Sequence, residues 1–232
     1  MFRNLYRLFV SWIGSICFTT EDNIDNTLMW SHYSTHEGFV VQFNRKKLLK
    51  YISNENKLSI DLYPINYVKE LIPIDPMNLK YGAHYGALLY MTSTKLDDWS
   101  YEHEWRLRCT PKNGGYFNVP ETLNTEKIEN GVERKLRYSE ECIERIIIGE
   151  KFFNHKNVKA KEYRNQDNSL KFNLNMDARN ANFINFVKLI SEKYNDKLYI
   201  SGSVLQSGKI VRIYQQIKLI KKADNVYILE NF

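Results

Sequence analysis

The chain has 232 residues, of which 43% are hydrophobic, 14% aromatic and 26% charged, and its net charge is +6. Set against ~150 residues per domain, this suits one large domain with a sizeable core. It excludes a disordered chain, a collagen-like chain and a small disulfide scaffold. A mean hydropathy of −0.50, with no apolar run near the ~20 residues that a membrane span needs, excludes an integral helical membrane protein.

The charge is unevenly spread. Residues 1–150 carry 18 basic and 20 acidic residues, net −2, and residues 151–232 carry 15 basic and 7 acidic, net +8. Such an asymmetry suits a nucleic-acid or acidic-surface partner. A compositional explanation competes with it: Asn, Ile and Lys supply 67 residues and Tyr 16, the skew of an AT-rich genome, on which Lys accumulates without electrostatic purpose. The three cysteines, Cys17, Cys109 and Cys142, are odd in number and widely spaced, so neither a disulfide framework nor a zinc ribbon is expected. Reduced, buried thiols in a cytoplasmic protein are the expectation.

In chain order, Arg3 and Arg7 precede the apolar stretch Leu8–Phe18, which has roughly the charge and length of a signal peptide. No Ala-x-Ala-like site follows, and a short helix running into a buried strand is expected instead. Ser15–Thr20 reads as a strand. Asp25 or Asn26 caps a helix over Thr27–Ser34, which Gly38 stops. Phe39–Phe43 reads as a buried strand and Arg45–Ile52 as a short helix. Ser59–Val68 alternates as a strand that Pro64 pushes to an edge or a bulge. Pro76–Trp99 is mostly helical in pattern, with Ala87, Leu88, Met91 and Leu96 among its apolar positions. Tyr101–Cys109 alternates most clearly as a strand, Pro111–Gly131 reads as irregular, and Ile143–Ile148, ending at Gly149, as a buried strand. Leu170–Leu174 is a strand, Ala181–Tyr194 a helix with Phe183, Phe186, Val187 and Ile190 on one face, and Lys197–Ser201 and Lys209–Leu219 two strands joined by a Gly-containing turn. Without a regular βα alternation, the expected fold is a single compact α+β domain with a mixed or antiparallel sheet and a few short helices. Residues 1–149 form its core and 150–232 a basic C-terminal part of the same domain.

Two constellations carry chemistry. In Leu28-Met-Trp-Ser-His-Tyr33, followed by His36 and Gly38, Trp30 and Tyr33 are three apart and His32 and His36 four apart, so each pair can share a helix face. Two such His can bind a metal, but Tyr33 stands where a zinc protease has Glu and no third ligand is evident; no metal is expected. In Lys95-Leu-Asp-Asp-Trp-Ser-Tyr-Glu-His-Glu-Trp-Arg106, a strand would place Glu102, Glu104, Arg106 and Arg108 on one face and Tyr101, His103, Trp105 and Leu107 on the other. Two carboxylates one strand step apart can hold one pKa high for acid–base work, an effect that flanking arginines oppose. A solvated ion-pair ladder is the simpler reading of that spacing. Gly202–Ile210 fails as a phosphate-binding P-loop, having one residue too many and no terminal Ser/Thr. No Gly-x-Ser-x-Gly elbow exists.

Cys17-Phe-Thr, Met29-Trp-Ser-His-Tyr33, His36-Glu-Gly38, Lys95, Trp99-Ser-Tyr-Glu-His-Glu-Trp-Arg106 and Ile146-Ile-Ile-Gly149 come in an order that resembles a bacterial family, domain of unknown function 2971, over residues 15–149. Longer members carry an Asn-Asp-Pro-Phe-like motif before the Cys-Phe strand. The residues before Cys17 lack it, so any site that needs it is expected to be incomplete. The family's Glu-x-Glu strand and His-Tyr pair are similar in residue type to those of ADP-ribosyltransferases. That implies an NAD-dependent transferase of a defence or toxin-like system, phage defence included, with NAD as cofactor. Glu104, His32, Tyr33 and Glu102 would be catalytic, and Trp30, Lys95 and Arg106 would bind substrate. Because two aromatic-charged words far apart in sequence make most sense if they meet in space, Leu28–Tyr33 is expected to pack beside the Tyr101–Cys109 strand, with His32 near Glu104. The alternatives are a non-catalytic nucleic-acid-binding or interaction module and a metal-dependent nuclease with Glu102, Glu104 and His32 as ligands. For the nucleic-acid reading, Lys151, Lys156, Lys159, Lys161 and Arg164 form a basic surface, with Phe152, Phe153 or Tyr163 nearby for packing or stacking.

Overall fold

A computed structural model describes residues 11–55, 58–74, 83–112, 117, 135–154, 158–164, 170–177 and 180–231. In chain order its elements are β1 (Gly14–Thr19), α1 (Thr27–Ser34), β2 (Phe39–Phe43), α2 (Arg45–Glu55), β3 (Leu58–Pro64), β4 (Asn66–Val68), α3 (Ala83–Ser93), β5 (Thr94–Leu96), β6 (Glu104–Pro111), β7 (Ile143–Ile148), β8 (Val158–Arg164), β9 (Leu170–Met176), α4 (Ala181–Lys193), β10 (Leu198–Gln206), β11 (Lys209–Ala223) and β12 (Val226–Asn231). This is an α+β fold with mixed and antiparallel sheets and a few short helices, as the patterning implies. Its residues fall into two compact units, one from 1–24 and 45–139, the other from 25–44 and 140–232.

The first unit is built on a three-stranded antiparallel sheet ordered β1-β6-β3. Its central strand, β6, buries Leu107 and Cys109 on one face and Glu104 and Arg108 on the other. Pro64 closes β3 on an edge of this sheet, where its missing N–H costs no ladder bond. The chain steps over Ile65 into β4, which pairs in parallel with β5 and sets Tyr67 opposite Lys95. Two expectations are corrected here. Within Pro76–Trp99 the helix Ala83–Ser93 gives way to the strand β5 and a 3-10 turn, and Met91 is exposed; residues 76–82 lie outside the described residues, as does most of Pro111–Gly131. Tyr101 and Glu102 belong to a 3-10 turn, Asp97–Glu102, and the strand begins only at Glu104.

The second unit is a seven-stranded sheet ordered β2-β7-β10-β11-β12-β9-β8, in which only β7 and β10 run parallel. The apolar run of β7 puts Ile146, Ile147 and Ile148 at 4% exposure or less, because both faces of that strand are covered. Helix α4 lays Val187 and Ile190, both fully buried, into a core with Ile146, Ile148, Leu198, Ile217 and Tyr227, and Phe183 and Phe186 pack at its margin. That is the face its 3–4 spacing implies. Helix α1 spans Thr27–Ser34 and is capped by Asn26, whose side chain accepts from Leu28 N–H at 3.0 Å. Its stop is not Gly38 but Thr35 and His36, successive non-glycine residues at φ 49° and 64°. Gly38 and Gly149 serve a different end, close passage. A Cβ on Gly38 would meet Ser34 Cβ at 2.6 Å, and one on Gly149 would lie 2.1 Å from the His36 carbonyl oxygen. Gly149 N–H donates to the Gly38 carbonyl, and Lys151 N–H to that of His36.

No helix among the described residues is long and apolar enough to cross a membrane. The three cysteines are free, Cys109 and Cys142 buried as expected and Cys17 exposed against expectation. Cys109 lies on the central strand β6 and Cys142 in the 3-10 turn just before β7, whereas Cys17 lies on the edge strand β1.

Candidate functional site: a four-charge network in the first unit

Four of the residues singled out from the sequence meet in the first unit. Lys95 Nζ is ion-paired with Glu102 Oε2 and lies 2.8 Å from Glu104 Oε2. Arg106 grips the Glu104 carboxylate with two nitrogens, at 2.6 and 3.3 Å, and donates a third bond to the Thr92 carbonyl at 2.6 Å. Two carboxylates and two cations therefore balance. The backbone explains how Glu102 and Glu104 reach one ammonium although a 3-10 turn precedes the strand: His103, between them, takes φ 46°. Thr19 Oγ1 and Asn23 Nδ2 donate to the Glu102 carbonyl at 2.6 and 2.9 Å, and Glu104 N–H donates to Tyr67 OH at 2.9 Å.

Glu102 and Glu104 are only 3% and 4% exposed at their side chains, whereas Lys95 is 24% exposed. Burial alone would push Glu104 up. Hydrogen bonds from Arg106, Cys17 and Lys95, with the charge of Arg106, outweigh it and hold Glu104 at about 2. Lys95 is driven above its ordinary value: burial opposes the shift, and its bonds to Glu102 and Glu104 overcome it. Burial, and then the hydrogen bond to Glu104, raise the Cys17 thiol. Glu104 is therefore not a raised carboxyl, and at this residue the flanking cations win the contest that the sequence left open. A fixed negative charge is what Glu104 offers. Cys17 and Tyr67 were not singled out as site residues; the register of β1 against β6, Cys17 opposite Arg106, is what brings the thiol in.

The remaining expected residues belong to the second unit. His32 and Tyr33 are exposed on α1, Tyr33 at 65%, while Trp30 is buried at 3%. The pairing of His32 with His36 on one helix face fails, because α1 ends at Ser34 and His36 has left-handed backbone. His36 instead lies 3.7 Å from Glu150 and 3.5 Å from Arg212, whose guanidinium sits over the Trp30 ring. Among the described residues, no group of three or more His, Cys, Asp or Glu could hold a metal ion. Lys151, Lys159 and Lys161 are exposed. Phe152 and Phe153 are buried in the core, where Phe152 also meets the rings of Phe183 and Phe186. Lys156 and the side chains of Tyr163 and Arg164 lie outside the described residues.

Fold and site define an α+β protein with a buried, charge-balanced carboxylate pair on and beside the central strand of a small antiparallel sheet. Residues 29–107 match the family described as Protein of unknown function (DUF2971), which bears out the resemblance drawn from the motifs over that stretch. Neither the curated proteins nor the solved structures compared with the chain contain a match.

Proposed function

We propose that the chain is an NAD-dependent, ADP-ribosyltransferase-like enzyme with Glu104 as its catalytic carboxylate. The observation that carries this reading is that Glu104, the first residue of a central strand, is held ionised at about 2 in a nearly water-free setting. A rigid anion so placed stabilises positive charge that develops beside it, at no cost of reorganisation. The chemistry NAD supplies is transfer of its ADP-ribosyl group, with nicotinamide as leaving group. The donor set fits such a molecule: Lys95 is the part-exposed cation for a diphosphate, and the exposed ring of Trp99 lies 5.3 Å from its ammonium, a flat surface for a base. Arg106 positions Glu104 rather than substrate, since its nitrogens are engaged by Glu104 and Thr92. His32 and Tyr33, exposed on α1, are further candidates for contact with substrate or acceptor.

The test offers NAD to the protein with protein, RNA and DNA acceptors and follows nicotinamide release and acceptor mass. Glu104→Gln keeps shape while removing charge, and is expected to lose on the order of 10²-fold or more in rate, assayed where both proteins are folded. Equal activity of Glu104→Gln removes the site. No nicotinamide release by wild type with any acceptor removes the reading.

The second reading, a non-catalytic binding module, is favoured by the charge balance itself: a carboxylate already matched by Lys95 and Arg106 serves as a structural ion pair. In that case the exposed Lys159 and Lys161 of the edge strand β8, with Lys151, are the contact surface for nucleic acid. Affinity there would fall steeply with salt.

A further inference from the structure

In the second unit, Arg212 is a part-buried cation with no carboxylate within ion-pair distance among the described residues. Arg212 lies on β11 opposite Ser203, on the same sheet face as Ser201 and Tyr214. Its Nη1 lies 3.4 Å from Ser201 Oγ, its Nη2 3.5 Å from His36 Nδ1, and its guanidinium 5.3 Å from the centre of the Trp30 ring. Its Nε is buried and has no hydrogen-bond partner among the described residues. The two nearby carboxylates are engaged elsewhere. Asp25 accepts from Tyr214 OH at 2.6 Å, and Glu150 accepts from Ser203 Oγ at 3.2 Å and faces His36 at 3.7 Å. Neither is within ion-pair distance of Arg212 among the described residues.

We infer that Arg212, Ser201 and His36 form a binding site for the phosphoryl group of a small-molecule ligand. A part-buried guanidinium whose contacts are two long bonds, to a hydroxyl and an imidazole, and one aromatic face is under-satisfied: it carries five donors, and a partly desolvated charge without a counter-ion is costly. The fold holds it there nonetheless. Trp30 supports it from one side and is itself tied by a hydrogen bond to Tyr214. The backbone that presents His36 is fixed by its left-handed turn and by the close pass of Gly149. Guanidinium, hydroxyl and imidazole converging on one place offer more donors than a carboxylate uses, and they match a tetrahedral oxyanion with several acceptor oxygens. Glu150 beside His36 keeps that ring oriented. The site lies wholly within the second unit and does not rest on the NAD reading of the first.

The test is calorimetric titration and thermal unfolding of the full chain at constant ionic strength, with inorganic phosphate, phenyl phosphate and acetate as probes. Inorganic phosphate, phenyl phosphate or both are expected to bind saturably and raise Tm, and which of them binds tells a free phosphate site from an ester site. Acetate is expected to leave Tm where chloride leaves it. Arg212→Lys keeps charge but loses the fork, and should weaken binding by about tenfold or more. Arg212→Met should abolish binding while leaving the unliganded Tm unchanged or raised, because it removes an uncompensated charge. Three results would overturn the inference: saturable binding of neither phosphate probe, equal shifts with acetate, or wild-type phosphate affinity in Arg212→Lys. If Arg212→Met does not fold, the lysine variant decides.

Discussion

Replacing Glu104 by Gln removes one charge from the four-charge network while keeping the side chain's outline, and its effect on stability follows from the structure. Glu104 titrates at about 2 against an ordinary 4.5. A carboxylate depressed by folding binds fewer protons in the folded state. Its stabilisation is therefore complete above about pH 4.5 and is lost as pH falls towards 2. At about 1.4 kcal/mol per unit, the depression corresponds to at most about 3.5 kcal/mol. Lys95 and Arg106 are 24% and 17% exposed, so solvent screens part of the attraction, and the expected loss in Glu104→Gln is ~1.5–3 kcal/mol. Urea unfolding read by tryptophan fluorescence reports mainly the first unit, which holds Trp12, Trp99 and Trp105 and not Trp30. At pH 7 the variant's midpoint should fall with an unchanged slope, and the gap to wild type should close as pH drops below 4.5. Equal midpoints at pH 7, or a gap that does not change with pH, would refute the reasoning.

Gly149→Ala would set a Cβ 2.1 Å from the His36 carbonyl oxygen and 2.7 Å from its carbon, both backbone atoms. The expected cost is about 3 kcal/mol, and a wild-type Tm would show that the two segments can separate freely. Thiol titration under non-reducing conditions should find three free thiols after denaturation. In the native protein only the exposed Cys17 should react, since Cys109 is buried and pushed up to about 11 by that burial; native reactivity of all three would contradict the core assigned to Cys109 and Cys142.

What was legible in the sequence depended on local signals. Asn26 before an apolar helix fixed the start of α1, the Ile run bounded by Gly149 fixed β7, and the spacing of Phe183, Phe186, Val187 and Ile190 fixed α4. The start of β6 was not legible, because a 3-10 turn followed by a left-handed residue leaves the same run of aromatic and charged residues as a strand would. Helix α3 has no apolar stripe to delimit it. Strand β8, Val158–Arg164, reads as a basic surface because an edge strand needs few apolar residues. The carboxylate network was half legible: its four charged members were visible, but not which sign would prevail, since that depends on the fork of Arg106 and the reach of Lys95 from another ladder. Arg212 carried no signal at all, lying in a strand whose partners come from residues 30, 36 and 201.

The spelling of Trp99-Ser-Tyr-Glu-His-Glu-Trp-Arg106 follows from one geometric demand. Both carboxylates must reach Lys95, which arrives from β5, a strand of another sheet. A continuous strand would serve for two side chains of one face, yet it would leave the Glu102 carbonyl in a ladder and Lys95 without room beside it. The 3-10 turn ending at Glu102 frees that carbonyl for Thr19 and Asn23, and His103 in the left-handed region re-aims the chain so that Glu104 opens β6. Arg106, two residues on and on the same face, then closes on the carboxylate, and Trp105 between them turns to the opposite face. The network is thus sensitive to the backbone at residue 103 as much as to its charges. Whatever Glu104 does for function, its position follows from that turn, and its low titration point from Arg106, Cys17 and Lys95 gathered around its carboxylate.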